Sequence, residues 1–167
     1  RDDQILSVAE TSDGGAIVGG EFYSSSIQVG EYTLTNSGGY DGMIVKLEKI
    51  ELNNPIVTNT EGIGGSNGDS IQSVATTSDG GAIVGGYFRS SSIQVGEYTL
   101  TNSGSTAYSD GMIIKYNAEG EVEWATSVGG GYDEQIQSVA ETSDGGVIAG
   151  GYFESSSIQV GEYTLTN

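Results

Sequence analysis

The sequence predicts an all-β protein built from tandem repeats, each repeat forming a small antiparallel sheet. Three observations predict it. A long stretch recurs almost unchanged, Asp-Gly pairs separate short apolar runs, and no ten-residue window carries a clean helical period. Ser7 to Gly38 and Ser73 to Gly104 differ only at Glu10/Thr76, Glu21/Tyr87 and Tyr23/Arg89. A third copy runs from Ser138 to Asn167, and the offsets between copies are 66 and 65 residues.

Within one repeat, Ile71 to Thr77 reads as the first strand, rich in β-branched and small residues. Ala82 to Phe88, almost wholly apolar, reads as the second. Ser78-Asp79-Gly80-Gly81 between them predicts a two-residue Asp-Gly hairpin turn with positive φ angles. Asp110 to Tyr116 is the third strand and Val122 to Val128 the fourth, with Val122, Trp124, Thr126 and Val128 expected on one face. Between strands two and three, Ile93 to Val95 and Tyr98 to Leu100 flank Gly96-Glu97 and predict an extra hairpin at the sheet edge. Paired glycines in strand two (Gly19-Gly20, Gly85-Gly86, Gly150-Gly151) mark a place where backbones crowd.

A sheet-only unit of four strands in about 65 residues suits a β-propeller blade, whose inner strands are covered on both faces by neighbouring blades. A parallel β-helix has shorter coils, and tandem immunoglobulin-like domains need about 100 residues each. The expected organisation is a partial propeller over 1–167, with blade one at 1–65, blade two at 66–130 and an incomplete blade three at 131–167. The third copy stops before its second half, so the chain is expected to be part of a longer array.

Composition narrows the function. The net charge of −18 repels nucleic-acid phosphates and anionic membrane surfaces. No apolar run approaches the roughly 18 residues of a membrane span, so no membrane insertion is expected. There is no Cys and no His, which leaves no thiolate metal site and no Cys or His nucleophile–base pair in this sequence.

The pattern T-S-D-G-G-x-I-V-G-G-Y-F, then I-x-V-G-x-Y-T-L-T-N-x-G, D-G-M-I-I-K-Y and G-E-V-E-W-A resembles the SBBP-like β-propeller repeats of secreted or surface-attached bacterial proteins. The resemblance covers nearly the whole chain and implies an extracellular or cell-surface scaffold or interaction module, without a catalytic motif. The first repeat departs from it: Asn59 stands where Trp124 would align, and the segment around Pro55 is four residues longer, which puts its fourth strand in question.

Candidate site residues fall into three groups. Asp13, Asp79 and Asp144 recur in the SDGG turns. They are candidate calcium ligands, but a hard cation wants six to eight oxygens and one carboxylate per turn supplies too few. The expected role is a turn-forming Asp, and no cofactor is expected. Asp2, Asp3, Asp69, Asp133 and Glu134 precede the first strands and, with Asp41 and Asp110, are expected to line one rim as a second calcium candidate. Near-identical repeats give equivalent acids, which does not split a general acid from a base, so no enzyme is expected here. The runs Ser24–Ser26, Ser90–Ser92 and Ser155–Ser157 lack a His to activate them and read as loops.

The varied positions Tyr23/Arg89/Glu154 and Glu21/Tyr87/Tyr152 mark the candidate binding surface, with Tyr23, Tyr87, Arg89, Tyr152 and Glu154 as its residues. Exposed tyrosines suit a protein or carbohydrate partner. Two alternatives stand beside a binding scaffold. One is a structural subunit that assembles through the open edge of the incomplete blade; the other is a non-catalytic part of a glycan-active enzyme.

Overall fold

The computed structural model describes residues 2–48, 57–160 and 162–167. Among them the protein is all-β, with no helix. Sixteen strands follow in chain order: β1 Gln4–Glu10, β2 Ala16–Phe22, β3 Ser26–Val29, β4 Tyr32–Thr35, β5 Asp41–Leu47, β6 Val57–Ile63, β7 Asp69–Thr76 and β8 Ala82–Phe88. Then come β9 Ser92–Val95, β10 Tyr98–Thr101, β11 Asp110–Tyr116, β12 Val122–Val128, β13 Glu134–Glu141, β14 Val147–Phe153, β15 Ser157–Val160 and β16 Tyr163–Thr166.

The first sheet has the order β1-β2-β5-β6 and the second the order β7-β8-β11-β12, each an antiparallel meander. The third contains β13 and β14. The fourth strand of the first sheet forms despite the lost Trp, and Asn59 pairs with Lys46 in the register that Trp124 keeps with Lys115. The insertion around Pro55 lies outside the described residues.

Two local expectations change. The hairpin turn is longer than two residues. Thr77 donates its N–H to Gly81 and accepts from Gly80, so three residues lie between the paired Thr77 and Gly81. Only Gly80 takes a positive φ, of 86°; a type I turn closed by one left-handed glycine is the common three-residue solution. The same bonds recur at Thr11–Gly15 and Thr142–Gly146.

Second, β12 does not alternate cleanly. Lys115 pairs with Trp124 but Tyr116 pairs with Val122, which makes Glu123 a bulge. The bulge turns Val122 and Ala125 toward one core while Val128 joins another, and leaves Trp124 partly exposed.

The extra hairpins lie beside the outer strand of a sheet, as expected, without joining its ladder. β3–β4, β9–β10 and β15–β16 are separate two-stranded sheets. Ile93, Val95 and Leu100 share a buried cluster with Phe88 and Met112. Each of the first two hairpins leans on the fourth strand of its own repeat: Tyr32 Oη donates to Thr58 O at 3.4 Å, and Tyr98 Oη to Glu123 O at 2.6 Å.

Successive sheets stack face to face. The first strand of each sheet lies across the preceding one, β7 on β1, β2 and β5, and β13 on β7, β8 and β11. The glycine pair explains the close approach. A Cβ on Gly85 would stand 2.7 Å from both Ile136 Cγ2 and Val139 Cγ1; on Gly19 it would meet Ile71 and Val74 in the same way. The second glycine of each pair faces its own sheet, where a Cβ on Gly86 would fall 2.1 Å from Ser70 O. The main core lies between the first and second sheets, around Ile17, Ile71, Val74, Val84 and Ile114. A second core lies between the second and third, around Ile83, Ile136 and Val139.

Candidate binding surface

The end of each sheet where strand one begins and strand two finishes collects two of the varied positions, while Glu10/Thr76 lies at the other end. Tyr23 follows β2 and packs its ring against Tyr40, with centroids 4.7 Å apart. The Tyr40 hydroxyl lies 2.9 Å from that of Tyr87 on the second sheet. Burial and the Tyr40 contact push the Tyr87 phenol well above its ordinary range, so it stays protonated and available as a donor. Arg89, two residues on, reaches Asp133, just before β13, at 3.7 Å. Tyr152 lies in the field of Asp133, Glu154 and Arg89, and its phenol is raised chiefly by burial. Tyr108 and Tyr132 meet edge to face at 5.1 Å.

Tyr23, Tyr87, Arg89, Tyr152 and Glu154 therefore sit along one strip that crosses all three sheets. Sequence reasoning missed Tyr40, Tyr108, Tyr132 and Asp133 as its members. The signal was present for two of them. Tyr40 and Tyr108 both stand just before the Asp-Gly that opens strand three, and Tyr40 lies flat on Gly68, where a Cβ would meet the ring at 2.3 Å.

The expected rim acids do other work. Asp69 is fully buried and accepts from Gly65 N, Arg89 N, Ser90 N and the Ser90 hydroxyl at 2.7–3.1 Å. It clasps the loop after β8 to the start of β7, which is what the first serine of each run serves. Asp3 makes the same clasp to Tyr23 N, Ser24 N and Ser24 Oγ in an exposed setting. Those bonds, led by Ser24, hold Asp3 below its usual range, whereas burial raises Asp69. Asp41 accepts from Ser37 N and Asp110 from Ser103 N, both at 2.7 Å, and both are raised first by burial. Each faces an acid of the next sheet, Asp41 toward Asp69 and Asp110 toward Glu134. The acids thus share the end of the sheets where strand one begins and strand two finishes, spread over consecutive joints. Among the described residues no three of them gather as a metal-holding group.

Asp13, Asp79 and Asp144 lie at the other end, in the hairpin turns. Each accepts a bond from the threonine two residues before it and from the glycine N–H two residues after it. These bonds hold all three carboxyls below their usual range, most strongly Asp79, which also meets Lys115 Nζ at 3.0 Å. At this end a groove of about 590 Å³ opens between Asn59, Glu61, Glu97, Tyr98 and Glu121. Its walls are mostly polar and carry three carboxylates.

A scan against protein-family models finds no match, and no curated protein matches the sequence. Among the described residues no helix is long and apolar enough to cross a membrane.

Proposed function

We propose that this chain is a non-enzymatic run of propeller blades, secreted or held at a bacterial surface, that presents the tyrosine strip to a glycan or protein ligand. One observation carries the binding reading. Two of the three positions at which the first two copies differ, Tyr23/Arg89 (Glu154 in the third) and Glu21/Tyr87 (Tyr152 in the third), fall on one strip together with the paired rings of Tyr23 and Tyr40. Rigid aromatic faces beside an Arg and acceptor carboxylates suit sugar hydroxyls and rings, and equally a protein hot spot.

The blade reading is supported by the wedge shape of each unit. Glycines let the early strands of neighbouring sheets approach closely, while a hairpin fills the space between their fourth strands. Repetition of such a wedge favours a curved stack.

A glycan array probed with the labelled chain tests the binding reading, with Tyr40→Ala and Arg89→Ala as strip variants. Binding that both variants weaken at least tenfold is expected. Glycan binding untouched by either variant would remove the strip from the function. No glycan binding, followed by no strip-dependent capture in a panel of purified cell-surface proteins, would remove the binding reading altogether.

A further inference from the structure

Asp110 opens β11 and Glu134 opens β13, and each is 1% exposed. Glu134 N donates to Ser109 O at 2.7 Å, which ties the two positions together across the joint between the second and third sheets. One oxygen of each carboxylate is held by a loop. Asp110 Oδ2 accepts from Ser103 N at 2.7 Å, and Glu134 Oε1 accepts from Ser155 N at 3.1 Å. The other two oxygens, Asp110 Oδ1 and Glu134 Oε2, are buried and have no hydrogen-bond partner. Burial raises the Asp110 carboxyl, and the Glu134 charge adds to the shift. Among the described residues no Lys or Arg comes within 4.0 Å of either group, since Arg89 reaches Asp133 instead.

The joint between the first and second sheets uses the same positions differently. There Asp69 spends both oxygens on Gly65, Arg89 and Ser90, and Asp41 Oδ1 alone is left over. At the second joint Gly68-Asp69 is replaced by Asp133-Glu134. Asp133 takes the Ser109 N–H and hydroxyl, and Glu134, one methylene longer than Asp69, takes Ser155 N and leaves Oε2 over. The replacement adds a carboxylate where burial already penalises one, and frees a second oxygen beside the first. A clasp for the loop needs neither change. Two desolvated like charges with open lone pairs call for a positive partner.

We propose that Asp110 and Glu134 hold a calcium ion at this joint, through the two oxygens that no hydrogen bond uses. A divalent ion matches the two charges. An all-oxygen set in a chain without Cys or His suits a hard cation, and calcium accepts an irregular shell completed by backbone carbonyls and water, whereas magnesium demands a near-ideal octahedron and sheds water reluctantly. Two carboxylates make a weak site, with a Kd of about 0.1–1 mM, the range of extracellular modules. The ion locks the third sheet onto the second and leaves the tyrosine strip to its own ligand.

Thermal unfolding of the chelator-treated chain in calcium chloride, at constant ionic strength, tests this, with isothermal titration calorimetry for the stoichiometry. One ion per chain is expected, with a melting temperature raised by about 3 °C or more at about 10 mM calcium. Magnesium is expected to bind at least about tenfold more weakly. Asp110→Asn and Glu134→Gln each remove one of two facing buried charges, so both are expected to fold at least as stably as the parent in chelator and to lose the calcium response. Asp41→Asn, at the first joint, is expected to keep it. No calcium-dependent rise overturns the proposal, and a gain in melting temperature for Asp110→Asn then assigns the pair to a shared proton. A rise that magnesium matches, or that survives both substitutions, is diffuse screening of a chain at −18 and overturns it equally.

Discussion

Val139 occupies the space that a side chain on Gly85 would need: a Cβ there would lie 2.7 Å from the Val139 Cγ1 methyl. The glycine is thus a socket in one sheet for a side chain of the next. Gly150 repeats it in sequence but stands uncovered.

Substitution at these two glycines separates packing from strand propensity. Gly85→Ala is expected to cost about 1–3 kcal/mol, because Ile136 and Val139 must shift within a filled core. Gly150→Ala is expected to change stability by no more than about 0.5 kcal/mol. Urea unfolding of the dilute chain measures both, and equal costs would show that the socket does not govern stability.

The aspartate clasps of the first two repeats share their bonds to the loop after strand two and differ in burial, with Asp69 accepting one bond more, from Gly65 N. Asp69→Ala leaves Gly65 N, Ser90 N and the Ser90 hydroxyl without this acceptor, while Arg89 N keeps its bond to Gly68 O, and is expected to destabilise by about 3 kcal/mol or more, given roughly 1–3 kcal/mol for each buried group left unpaired. Asp3→Ala removes three bonds, to Tyr23 and Ser24, where water replaces them, with an expected loss of about 1 kcal/mol or less. The two urea midpoints compare them directly. A larger loss at Asp3 would contradict the role given to burial.

Stability is expected to rise as pH falls from neutral into the mildly acidic range. Asp41, Asp69 and Asp110 have folded pKa values raised above the unfolded ones, so the folded state takes up protons first and their penalty disappears across that window. Below the ordinary carboxylate range the trend reverses. Asp3, Asp13, Asp79 and Asp144 have lowered folded values, and their contribution is lost as they protonate. The double variant Asp41→Asn/Asp110→Asn should flatten the upper arm of a melting-temperature profile and leave the lower arm alone. A wild-type profile that climbs steadily from mildly acidic pH to neutrality would contradict this assignment.

Lys115 ties a hairpin turn to the outer strand. Its nearly buried ammonium donates to Tyr116 O at 2.8 Å and Asp79 Oδ2 at 3.0 Å, and lies 3.3 Å from Glu123 Oε2. Lys115→Met keeps the stem and removes the charge. It is expected to cost about 1–2 kcal/mol, since both carboxylates are about half exposed and recover water. It should also reduce the sensitivity of the urea midpoint to salt, and an unchanged salt dependence would show that these ion pairs contribute little.

Strand positions were legible in the sequence because they depend on local chemistry. Short β-branched runs and Asp-Gly turns placed β8, β11 and β12 to the residue, and the repeat carried the same reading to the other copies. The candidate surface was legible only in part. Variation between copies pointed to Tyr23, Tyr87 and Arg89, but Tyr40 reaches Tyr87, and Asp133 reaches Arg89, through contacts that no single repeat contains.

By itself the sequence determined that the chain is all-β, where its strands lie and which residues recur at equivalent places. Only the tertiary structure decided that Glu123 bulges, that the small hairpins pack between sheets, and that Asp69 is a buried clasp while Asp3 is an exposed one. The physical reason is that strand formation reads neighbours along the chain, whereas burial reads neighbours across a joint. Ile5 and Ile71 are the same residue in the same register, and only the sheet stacked against one of them makes it core.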